Sequence, residues 1–190
     1  MFADNSKAFL NVRQAKVEDA PAIAKVHIET WRTTYNEILP EDYLARLSLQ
    51  ERENRWIQML NTAAEKNYFI YVAEDESGQI VGFADGGSER TNDPIYKSEI
   101  YTIYILEVYQ RQGLGRALME TLVKKFNELG FDLMLLWVLA RNPACKFYEA
   151  LGGQKVRSKQ IEIGGNMLDE IAYGWDDFRL LLSSLPIQPM

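Results

Sequence analysis

The spacing of apolar residues changes several times along this chain, and each change marks an element. Leu10-Asn-Val-Arg-Gln-Ala15 alternates and reads as a first strand. Glu18-Asp19-Ala-Pro21 opens a helix, with acidic residues and a proline at its start, that runs to about Tyr35. Asn36–Pro40 breaks it, and a short helical piece follows around Tyr43–Leu47. Ser48-Leu-Gln-Glu51 is a capping box that starts a helix through Trp56, Met59 and Leu60. Phe69–Ala73 and Ile80–Ala84 are strands joined by a turn at Asp75–Gly78. Gly86-Gly87 through Pro94 is rich in turn formers and reads as a loop. Ser98–Leu106 is the next strand. Leu118, Leu122, Phe126 and Leu129 then share one helical face, with Gly130 as the stop.

Leu133-Met-Leu-Leu-Trp-Val-Leu139 is a continuous apolar run, the pattern of a parallel strand covered on both faces. Asn142-Pro143 begins a helix that ends at Gly152-Gly153, and Lys155–Ile163 and Asn166–Trp175 form a hairpin around Gly164-Gly165. Asp176–Leu182 has room for a helical turn or two. The order of elements predicts one α/β domain on a mixed sheet over residues 10–175, a flexible leader over 1–9 and a tail over 176–190. The strands on either side of the long helix must be parallel, joined by a crossover.

Composition narrows the function. Of 190 residues, 47% are hydrophobic and 25% charged, which is globular and not disordered. A formal net charge of −6 argues against a nucleic-acid surface and is compatible with a cationic substrate. No apolar run is long enough to cross a bilayer, and the N-terminus lacks the apolar core of a signal peptide. A single cysteine, Cys145, fits a reducing cytoplasm, and one histidine with one cysteine makes no metal motif.

The chemistry is concentrated where Ser98–Leu106 meets Gln110-Arg-Gln-Gly-Leu-Gly115. A strand, a glycine turn and a helix leave unpaired amides at the positive end of a helix dipole. Gly113 and Gly115 let an anion approach the backbone, and Arg111 and Arg116 add positive charge, so a pyrophosphate suits the site. The dinucleotide fingerprint fails because Leu118 stands where its third glycine would be, and the P-loop pattern is absent.

This stretch resembles the acetyl-CoA signature Q/R-x-x-G-x-G/A of the GNAT acetyltransferase superfamily, with Gln110, Gly113 and Gly115 in register. Arg141-Asn-Pro-Ala-Cys-Lys-Phe-Tyr-Glu-Ala-Leu-Gly152 resembles that family's N-x-A-x-x-F-Y-E-x-L-G segment. The resemblance covers about residues 10–175. It implies the GNAT fold, a central mixed sheet of about seven strands with helices on both faces, and an N-acetyltransferase using acetyl-CoA as donor. It further implies that Ile103 and Ile105 lie on the strand that pairs with the pantetheine arm. Arg111, Gln112, Gly113, Leu114, Gly115 and Arg116 surround the pyrophosphate, Asn142 lines the far side of the slot, and Tyr148 protonates the leaving thiolate.

A backbone N–H on Ile105 or Leu106 would stabilise the developing oxyanion. A carboxylate must take the proton of the acceptor amine. Glu99 is the first candidate, with Glu107 and Asp85 behind it. Cys145 has no neighbouring histidine and reads as a buried helical residue, not an acyl carrier. His27, Trp31 and Tyr35 fall on one helical face and either line the acceptor pocket or pack in the core. Arg157 and Lys159 alternate on a strand as a solvated face. The acceptor is an amine of a small molecule or protein N-terminus. The alternative is a silent acyl-CoA-binding sensor or partner subunit. The C-terminal hairpin offers an edge through which a homodimer could form.

Overall fold

In the computed structural model, which describes residues 11–182, β1 (Asn11–Gln14), β2 (Tyr68–Glu74), β3 (Ile80–Ser88), β4 (Ser98–Ile105), β5 (Met134–Leu139), β6 (Gln154–Ile163) and β7 (Asn166–Trp175) form one mixed sheet. The leader expected over 1–9 and the end of the tail lie outside the described residues. Strand order is β1-β2-β3-β4-β5-β7-β6, with β6 at one edge. All neighbours are antiparallel except β4 and β5, which are parallel, as the crossover through the long helix requires.

The helices divide between the two faces. α1 (Ala20–Thr34) and α3 (Leu49–Thr62) pack on one side, where Ile23, Val26, Trp56, Val72 and Phe83 make a core. Between them α2 (Glu41–Ala45) is a short turn of helix, and Ser48 caps α3 by accepting the Glu51 amide at 3.3 Å. α4 (Leu114–Glu128) covers the other face, burying Leu118, Leu122 and Phe126 as its periodicity predicts, whereas Leu129, the fourth residue of that stripe, follows the helix end and is exposed. That core continues past Trp175: Phe178 and Leu181, the latter on α6 (Arg179–Leu182), are both buried in it.

Two boundaries differ from the sequence reading. Gly86 and Gly87 are not loop; β3 continues through them to Ser88. A Cβ on Gly86 would stand 2.7 Å from the Glu99 carbonyl oxygen, and one on Gly87 2.3 Å from that of Asn67, so these glycines mark close approach within the sheet. The helix expected from Asn142 begins later, as α5 (Cys145–Ala150). Asn142 Oδ1 accepts the Ala144 amide at 2.8 Å and forms the turn that leads into it.

Candidate active site

β4 and β5 run side by side only where Ser98, Glu99 and Ile100 face Met134, Leu135 and Leu136. Beyond that point both strands continue but no longer pair. The register of β3 against β4 jumps from Asp85–Thr102 to Gly86–Ile100, so Tyr101 is the extra residue of a bulge. A bulge bends its strand, and this one lies where β4 leaves β5. The sheet therefore opens into a cleft of about 550 Å³ that passes from one face to the other.

Backbone alternation decides which groups the opening exposes. The Leu106 amide donates to Val81 O at 2.9 Å, so Leu106 belongs to the set that bonds β3. In an alternating antiparallel ladder Tyr104 and Thr102 do the same, which turns the N–H groups of Ile103 and Ile105 toward the cleft. Of the two amides considered for an oxyanion, that of Leu106 is thus already spent and that of Ile105 faces the opening. Gln110 Nε2 donates to Ile105 O at 3.0 Å and closes the strand end.

One end of the cleft is built for an anion. Gly113 holds φ +90° at the start of α4, and Arg111 holds φ +60°, an uncommon conformation for a residue with a Cβ. The first bond of the helix runs from Ala117 N to Gly113 O, which leaves the amides of Leu114 and Gly115 as helix-start donors. Arg111, Gly113, Gly115 and Arg116 line this end. Gly115 is needed for a second reason: a Cβ there would lie 3.1 Å from the Phe147 ring and 3.4 Å from Ile105 Cδ1. Gln112 does not reach the cleft; its Nε2 donates to Val108 O at 2.9 Å and braces the turn. The Leu114 side chain is buried in the α4 core.

Tyr148 lies at the waist. It is buried, packed by Phe147, Tyr173 and Trp175, yet it lines the cleft. Burial raises its phenol well above the ordinary value of 10, with Tyr35 and Cys145 adding to the effect, so it stays protonated at neutral pH. Asn142 also lines the cleft and donates from Nδ2 to the Tyr35 hydroxyl at 3.1 Å.

The other end is aromatic and apolar. Trp31, Tyr35, Leu39, Trp137 and Ile161 line it, together with Glu170, the one carboxylate on the cleft wall among the described residues. Trp31 and Tyr35 are therefore pocket residues. His27, on the same helix, turns away among Trp56, Phe83 and Tyr104. Neither of its ring nitrogens has a hydrogen-bond partner, and burial, with Arg52 and Arg55 nearby, lowers its pKa to about 3.

The expected base does not stand here. Glu99 is 1% exposed, in the paired part of β4, and holds Arg90 at 2.5 and 3.1 Å, so its carboxylate is committed to an ion pair outside the cleft. Asp85 lies behind Thr102, accepting hydrogen bonds from the Thr102 and Tyr68 hydroxyls. Burial pushes its pKa up to about 6, against the pull of those two donors. Glu107 is exposed in the turn after β4 and is not on the cleft wall. Glu170 and Trp137 were missed by sequence reasoning, since β5–β7 pairing alone brings them together. Of the alternating pair on β6, Lys159 is exposed and Arg157 half-buried, and each is engaged by a neighbour. Arg157 donates to Asp93 at 2.7 Å, and Lys159 lies over Trp137.

Cys145 is half-buried with Sγ toward the carbonyls of Leu139 and Ala140. Burial raises its thiol pKa, the reverse of what a nucleophile needs. No group of metal-ligating side chains occurs among the described residues, and no helix there is long and apolar enough to cross a membrane.

Comparison with known proteins gives the family and the fold. The Acetyltransferase (GNAT) family profile matches residues 28–153. The uncharacterized N-acetyltransferase YuaI of Bacillus subtilis (strain 168) is 42% identical over 176 residues, 93% of this chain and 98% of that protein. The L-methionine sulfoximine/L-methionine sulfone acetyltransferase of Pseudomonas aeruginosa is 24% identical over 165 residues, 84% of this chain and 90% of that protein. Among solved structures, PaiA N-acetyltransferase from Thermoplasma acidophilum, in complex with coenzyme A, superposes with a TM-score of 0.68. That match has 19% identity and covers 85% of this chain and 97% of that one.

Proposed function

The chain belongs to the Acetyltransferase (GNAT) family, and on that premise we propose that it moves an acetyl group from acetyl-CoA directly to a primary amine of a small molecule or protein N-terminus. The observation that carries this reading is the through-sheet cleft. Its anion-binding turn, its exposed strand edge, a buried protonated phenol and an aromatic chamber follow one another in the order the reaction needs. The coenzyme A complex of the Thermoplasma relative supports the donor.

Acetyl-CoA supplies a thioester whose carbonyl carbon accepts the amine and whose sulfur leaves. The chain's own groups fit it. The amides of Leu114 and Gly115, with Arg111 and Arg116, suit a pyrophosphate. The Ile103 and Ile105 edge suits an extended amide-bearing arm, which adds to the sheet as a strand would. The Ile105 N–H is the candidate donor to the carbonyl oxygen as it gains charge. Tyr148 donates its proton to the departing sulfur, which a phenol held in its protonated form can do. Asn142 acts indirectly, holding Tyr35 and the turn before α5.

The test is thiol release from acetyl-CoA with a panel of primary amines, set beside thermal stabilisation by coenzyme A. Amine-dependent release supports transfer. Stabilisation with no release from any amine favours a silent acyl-CoA-binding module.

A further inference from the structure

The charged side chains on the cleft wall differ from end to end. Arg111 and Arg116 stand at one end, and Glu170, the sole carboxylate on the wall among the described residues, at the other. Glu170 is only 16% exposed in its side chain, and an ammonium already sits on it: Lys159 Nζ is 3.3 Å from Glu170 Oε2. The same Nζ is 3.9 Å from the centroid of the Trp137 ring. Lys159 and Glu170 are cross-strand neighbours on β6 and β7, so the ion pair alone would be an ordinary sheet contact. The contact with Trp137 is not. Trp137 is on β5, beyond β7, so the lysine, its own side chain 40% exposed, leans across a strand and brings its charge against two residues of the cleft wall.

We propose that Glu170 and Trp137 form the seat for the acceptor's ammonium, and that Lys159 holds this seat until an acceptor displaces it. The inference rests on the acetyltransferase reading and names its substrate class. A carboxylate against an indole face binds a primary ammonium through charge and through the ring quadrupole. The walls beside the seat, Trp31, Tyr35, Leu39 and Ile161, suit an apolar stem. The acceptor is accordingly an alkyl primary amine of lysine side-chain type. Because the resident cation belongs to the chain, every acceptor must outcompete it, and Lys159 weakens acceptor binding without touching the donor end.

The experiment titrates n-butylammonium chloride by calorimetry into the wild type, Lys159→Ala and the double variant Lys159→Ala/Glu170→Gln, and measures acetyl transfer to n-butylamine by the same proteins. Emptying the seat should tighten n-butylammonium binding and lower the acceptor KM on the order of 3- to 10-fold, the worth of one partly exposed ion pair and cation–π contact. The KM for acetyl-CoA should not move. Adding Glu170→Gln should then weaken n-butylammonium binding on the order of 10-fold or more. Lys159→Met keeps the stem and replaces the alanine variant if that one melts early. Unchanged or weaker binding in the Lys159 variants, or no loss on adding Glu170→Gln, overturns the proposal. n-Butylammonium binding with this pattern, but no thiol release by the wild type, sinks the acetyltransferase reading and leaves the seat standing.

Discussion

Asn142 Nδ2 donates to the Tyr35 hydroxyl at 3.1 Å, across 107 residues of sequence, and this buried bond ties the last turn of α1 to the segment that carries Tyr148. Tyr35 lines the acceptor end of the cleft, and Asn142 lines the wall facing the waist. The bond thus joins two residues of the cleft wall.

Tyr35→Phe leaves the Asn142 amide without that acceptor in a buried place. We expect a loss of about 1–2 kcal/mol in urea unfolding. Asn142→Ala also removes the acceptor of the Ala144 amide, so it should cost more than Tyr35→Phe. Equal stability in all three proteins would show that the bond carries no net free energy.

At the anion end, Gly113→Asp and Gly115→Asp should abolish acetyl-CoA binding in a calorimetric titration while each variant still unfolds cooperatively. The causes differ. At Gly113 a side chain meets open space but the backbone at φ +90° resists it, whereas at Gly115 a Cβ presses on Phe147. In both, a carboxylate opposes the pyrophosphate. An unchanged dissociation constant would remove the pyrophosphate from this turn.

The elements that could be read from the sequence are those whose signal is local. The glycine turn, the apolar strand before it and the α4 stripe are contiguous patterns, and the structure places them as expected. Glu170, Trp137 and Lys159 carry no such signal. Trp137 is hidden in an apolar run, and Lys159 belongs to an alternation that looks solvent-facing; only the β5-β7-β6 register joins them. Glu99 misled for the converse reason, because its partner Arg90 lies in a loop whose path local pattern does not give. Gly86 and Gly87 looked like loop because a glycine needed for close packing and one needed for a turn are the same letter.

His27 gives a pH signature. Its pKa is lowered from the ordinary 6.5 to about 3, chiefly by burial, so the unfolded chain binds a proton that the folded chain refuses. The stability this leaves intact above pH 6.5 should fall as pH drops from 6.5 toward 3. His27→Leu removes two ring nitrogens that have no partner and should raise stability at pH 7 by about 1 kcal/mol. Its advantage should widen on acidification in paired thermal melts. A constant gap between the two proteins from pH 7 to pH 4 would contradict the assignment.

Cys145→Ala should keep most of the activity, because the half-buried thiol has no base beside it and its pKa is raised. Mass spectrometry after mixing with acetyl-CoA alone should find no acetyl adduct on Cys145. An adduct that decays at the turnover rate would replace direct transfer with a two-step route.

The most direct test of direct transfer through this cleft is the kcat of Tyr148→Phe, measured beside a titration with coenzyme A. The substitution removes one oxygen and keeps the ring against Phe147, Tyr173 and Trp175. A general acid acts as the C–S bond breaks, so kcat should fall by roughly 10²–10⁴-fold with coenzyme A affinity little changed. A near-normal kcat would make Tyr148 a packing residue and contradict the mechanism.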